Sequence, residues 1–91
     1  MPSIAMSHHA NVRCAQRGIE PEIIDIVLHW GRQDYDHRGA CRYFLGRPEK
    51  TQLLKHSPDA LRKHGRKLDA VVVTGTDTGT VITVFVRKRR S

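Results

Sequence analysis

The sequence is poor in cysteine, in aromatics, in acidic residues and in long apolar runs, and each shortage excludes something. Two cysteines, Cys14 and Cys41, cannot build a disulfide framework and read as free thiols of a cytoplasmic protein. No apolar run reaches the length of a transmembrane helix, so no membrane partner is expected. The opening Met1–Met6 also lacks the basic-then-apolar order of a signal peptide. With one Trp, two Tyr and two Phe in 91 residues, the chain can fill one small core with little to spare, and a homodimer or another partner would supplement it. Nine Asp and Glu stand against 16 Lys and Arg, a formal +7. That balance favours a polyanionic partner, nucleic acid first or an acidic protein second.

What is present begins with a short helix over about Ser7–Arg17. Ser7 can cap it and Gly18 can close it in the left-handed conformation. His9, Arg13 and Arg17 recur every four residues and form one ridge beside a thin apolar arc of Ala10 and Cys14. Cations at the edge of a core need an anion, so the ridge either pairs with carboxylates such as Glu22 and Asp25 or holds a ligand. A second helix, about Glu20–Trp30, has Pro21 in its first turn and Gly31 at its stop. Its broad apolar arc of Ile23, Ile24, Ile26, Val27, Leu28 and Trp30 makes it the nucleus of the core, with His29 on the solvated stripe.

From Arg32 the period shortens toward two. Arg32–Asp36 and Ala40–Leu45 read as a hairpin around His37-Arg38-Gly39, with Arg42 and Phe44 facing away from Cys41, Tyr43 and Leu45. Residues 47–67 have few apolar anchors and read as a mobile basic excursion with one short helix near Ala60–His64. Leu68–Thr74 and Thr80–Arg87 are β-branched strands flanking the turn Gly75–Gly79. Strict alternation would put Ile82, Val84 and Val86 on one face and Val81, Thr83 and Phe85 on the other. A basic tail follows at 87–91. The order predicts a single α+β domain spanning residues 1–91, with two N-terminal helices packed on one face of a roughly four-stranded antiparallel sheet and the opposite face open.

Several chemistries are weakly supported. The histidines and cysteines (His8, His9, Cys14, His37, Cys41, His56, His64) show no structural-zinc spacing, so no metal or other cofactor is expected. A Cys14–His9 nucleophilic pair lacks an orienting third group. The glycine turn at Gly75–Gly79 precedes a strand rather than the helix a phosphate loop needs. The clusters Arg62, Lys63, Arg66, Lys67 and Arg87, Lys88, Arg89, Arg90 are dense enough for phosphate-backbone contact. Stacking aromatics are few, with Phe44, Tyr35 and Phe85 the candidates, so sequence-specific readout is not indicated.

The opening Ser7-x-His9-Ala10-x-x-Arg13-x-x-x-Arg17-Gly18-Ile19 resembles that of a bacterial domain-of-unknown-function family. Leu28-His29-Trp30-Gly31, Arg42-Tyr43, Val71-Val72-Val73 and Ile82-Thr83-Val84 match its later segments, and only residues 47–67 fall outside the likeness. That family resembles the RelE/ParE/BrnT toxin superfamily. The resemblance implies a RelE-like fold and a metal-independent endoribonuclease, or a toxin-like domain neutralised by an acidic antitoxin-like protein. Transesterification of RNA needs a base, an acid and cations for the phosphorane. On this reading His9 is the base or acid, Arg13, Arg17 and Arg42 clamp phosphate, and Thr83 positions the substrate. The alternative is a non-catalytic module that binds nucleic acid or an acidic protein.

Overall fold

The first helix, α1 (His8–Arg17), starts and stops on the residues its caps predict. The Ala10 N–H donates to Ser7 Oγ over 3.1 Å, and Gly18 turns at φ 64° with its N–H donating to Cys14 O. Ser7 also fastens the helix to the far end of the chain. Its N–H donates to Val81 O at 2.9 Å and its hydroxyl to Ile82 O at 2.8 Å. The second helix, α2 (Pro21–Trp30), buries Ile23, Ile24 and Val27 almost completely. Gly31 ends it for want of space rather than through a left-handed turn. Its φ is −76°, and a Cβ there would lie 2.3 Å from Val27 O and 3.1 Å from Phe44 O.

A computed structural model describes residues 6–35 and 38–87. The strands β1 (Arg32–Tyr35), β2 (Ala40–Phe44), β3 (Ala70–Gly75) and β4 (Val81–Val86) form one antiparallel sheet in the order β1-β2-β3-β4. The turn between β1 and β2 includes Asp36 and His37, which lie outside the described residues. One face of the sheet carries Tyr43, Ala70, Val72, Val81, Val84 and Val86 into the core beneath the helices. Strict alternation in β4 fails. Val73 pairs with Thr83 but Thr74 pairs with Val81, so Ile82 is an extra residue at a bulge. The bulge puts Val81 on the core face with Val84 and Val86, and leaves Ile82 outside with Thr83 and Phe85.

The stretch 47–67, expected to be an excursion with one short helix, is instead almost wholly helical. It forms α3 (Arg47–His56), α4 (Pro58–His64) and a 3-10 segment, Gly65–Asp69. Pro48 sits in the first turn of α3, where it needs no donor, and Glu49 Oε1 reaches back to accept the Gly46 N–H at 2.9 Å. Leu53 alone among its side chains is buried, and Lys50 pairs with Asp69. Buried residues from α1, α2, α3 and the 3-10 segment join the core-facing strand residues in one cluster, with Ala60 and Leu61 of α4 packed against it. Every described helix therefore lies on the same side, and among the described residues no helix packs on the second face of the sheet. Among the described residues no helix is long and apolar enough to cross a membrane.

Candidate nucleic-acid interface

The open face is built by the register of the strands. Arg32 pairs with Phe44 across β1 and β2, and Val71 with Phe85 across β3 and β4. Phe44 is the centre of this surface. The Arg87 guanidinium carbon stands 4.8 Å from the centre of its ring and that of Arg32 stands 6.0 Å away. Both lie at cation–π range. The Arg32 guanidinium is also engaged at its edge, where Nη2 donates to Glu49 Oε2 of α3 at 3.4 Å. One row further along the strands, Arg42 pairs with Val73 and Val73 with Thr83. Arg42 and Thr83 therefore share the face but are separated by β3, about 10 Å at ordinary strand spacing. Arg42 also faces Asp34 at 3.5 Å, an exposed pair worth little to stability. Phe85 and Ile82 extend the apolar part of the surface and are both exposed.

The ridge of α1 lies elsewhere. α1 packs against β4 from the core side, so His9, Arg13 and Arg17 stand on the helical side of the sheet from Arg42 and Thr83. His9 and Arg17 are exposed and only Arg13 is half-buried, so the ridge carries less of a burial cost than its place beside Ala10 and Cys14 predicts. Among the described residues no ion pair joins the ridge to a carboxylate. Glu22, a partner expected from sequence, is held by Lys63 at 3.3 Å and faces His64 at 3.2 Å.

The two basic clusters separate in the same way. Arg62, Lys63, Arg66 and Lys67 are all exposed on α4 and the 3-10 segment. Lys67 reaches the α1–α2 corner, with Nζ 3.5 Å from where a Cβ on Gly18 would be. Arg87 belongs to the open face through Phe44. Lys88, Arg89 and Arg90 lie outside the described residues.

No family model, curated protein or solved structure matches the chain. Burial pushes the Cys14 thiol above its usual range, which disfavours the thiolate. Burial likewise raises the Tyr43 phenol, which accepts from Gln33 Nε2 at 3.0 Å. Glu22 is held below the ordinary carboxylate range, first by the hydrogen bond and charge of Lys63. The contribution of Arg32 is invisible in the sequence, where it reads as one more charge at the start of a strand. Only the pairing of β1 with β2 sets it over Phe44.

Proposed function

We propose that the chain is a toxin-like, RNA-directed domain that takes single-stranded RNA on the open face of its sheet. The observation that carries this reading is the half-buried Phe44 ring with the Arg87 and Arg32 guanidiniums beside it, on the sheet face away from the described helices. A base can stack on such a platform while the cations meet the flanking phosphates, and each stacked base is worth about 1–3 kcal/mol. Arg42 adds a third cation on the same face, and the basic tail continues from Arg87. Stacking is tolerant of base identity, so the domain recognises single strands without strict sequence preference. In this reading the protein works in the cytoplasm, and an acidic antitoxin-like partner would neutralise it by covering the same cations.

Metal-independent endoribonuclease activity is the second reading, favoured by the absence of a carboxylate on the His9, Arg13 and Arg17 ridge among the described residues. His9 would act as base or acid and Arg13 and Arg17 would stabilise the phosphorane, with the strand passing over the β4 edge from Arg42 and Thr83. One experiment addresses both readings. Fluorescently labelled single-stranded RNA is titrated with the protein in EDTA at several salt concentrations, and the RNA is then run on a denaturing gel. Salt-sensitive binding that weakens in Phe44→Leu supports the interface, and cleavage lost in His9→Gln supports the enzyme. Binding that ignores both salt and Phe44 overturns the interface, and intact RNA under bound conditions overturns the enzyme.

A further inference from the structure

On the helical side, two carboxylates and an imidazole meet from elements far apart in the chain. Glu20 is the residue before α2, Glu22 lies in its first turn, and His64 ends α4. One ligating atom from each lies within 4.8 Å of the others. His64 is the unusual member. Its side chain is 3% exposed, and its Nε2 has no hydrogen bond although it lies 3.2 Å from Glu22 Oε2. A buried imidazole nitrogen without a partner costs free energy that a structural residue would normally avoid.

We infer that Glu20, Glu22 and His64 bind a divalent first-row transition-metal ion, with Zn2+ the best match. One imidazole and carboxylate oxygens form a borderline donor set of the kind that Zn2+ accepts, leaving further positions for water. The spacing agrees. Two donors about 2.1 Å from one Zn2+ in tetrahedral geometry stand about 3.4 Å apart, close to the observed His64–Glu22 separation. An ion so placed would give the buried His64 Nε2 the partner it otherwise lacks. Glu20 is exposed and free to rotate inward as the third ligand. Lys63 Nζ, 3.3 Å from Glu22 Oε2 and itself exposed, occupies the carboxylate as a rival cation that the metal displaces. The N-terminus of α2 disfavours a cation and the C-terminus of α4 favours one, so the two helix ends largely offset each other.

The ion would tie α4 to the α1–α2 corner, a structural role that does not depend on the RNA reading. The test titrates the full chain, cleared of metal by chelator, with Zn2+ alone against a chromophoric competitor at neutral pH, and follows thermal unfolding in parallel. One equivalent binds, and Tm rises by roughly 10 °C at a hundredfold excess over Kd. Glu22→Gln and Glu20→Gln sit on the surface and leave the fold intact. Each weakens Zn2+ binding by at least the roughly 10–100-fold that even an outer partner of a ligand is worth. Lys63→Met tightens it, and His8→Gln/His9→Gln, which removes the adjacent exposed histidines, leaves it unchanged. Zn2+ affinity that survives Glu22→Gln, or that vanishes with the His8/His9 pair, overturns the site. So does displacement of Zn2+ by an equal concentration of Mg2+ or Ca2+.

Discussion

The two faces of the sheet are made by the same strands and could hardly differ more. On the inner face, Val72, Val81 and Val84 join Ile23, Ile24, Val27 and Leu53 in one buried apolar cluster. On the outer face, Phe44 lies among Arg32 and Arg87, and Arg42 faces Asp34. The inner face carries the stability of a small domain whose apolar content is modest. The outer face shares less of that work, with Val71 its buried member, so its exposed residues can change with little cost to the fold. Binding and folding are thereby assigned to opposite sides of one layer, and mutations can separate them.

The largest effect belongs to the inner face. Leu53→Ala removes a side chain that is 1% exposed and should destabilise the protein by about 2–5 kcal/mol in chemical denaturation. RNA affinity measured well below the melting transition should not move. A small loss of stability would mean that α3 is not part of the core. Phe44→Leu is the converse. It should weaken RNA binding by about 1–3 kcal/mol, read as a change in Kd, at a stability cost below about 1.5 kcal/mol.

Arg87→Gln tests the charge of the outer face alone. Removing one phosphate contact on a single strand should reduce the slope of log K against log salt by about 0.7, with less effect on affinity than Phe44→Leu. The control is Lys63→Gln on the helical side, which should leave that slope unchanged. The smallest effect concerns Glu22. Its folded pKa lies below the unfolded value, so its contribution is present above the unfolded pKa and is lost as pH falls through the folded one. Wild type and Glu22→Gln, compared without metal, should therefore differ slightly in Tm at neutral pH and converge in acid. A gap that widens on acidification would contradict the Lys63–Glu22 pairing.

Much of the fold was legible because local signals agreed with one another. Ser7, Gly18 and Pro21 mark helix ends by backbone chemistry, and the apolar arc of α2 needs no tertiary help to be seen. The valines of β3 and β4 announce strands in the same way. α3 and α4 were not legible as a pair of packed helices, because a single buried leucine in α3 gives almost no periodic signal. The bulge at Ile82 was hidden for another reason. One extra residue exchanges the faces of a strand, and alternation alone cannot reveal where it falls. Phe44 and Arg42 were correctly placed on the open face, whereas Arg32 beside Phe44 and Glu22 beside His64 are products of long-range pairing.

The double attachment of Ser7 has a kinetic consequence. The residue that caps the first helix is bonded to carbonyls of the last strand, 75 positions away for the hydroxyl contact with Ile82. A short helix of ten residues is marginal by itself, and here its anchor lies 75 positions further along the chain. During synthesis α1 has to wait, and its final docking depends on closing one of the longest loops the domain contains. Ser7→Ala should therefore slow the last stage of folding as well as fray the helix. The start of α1 stays undocked until β4 has been made.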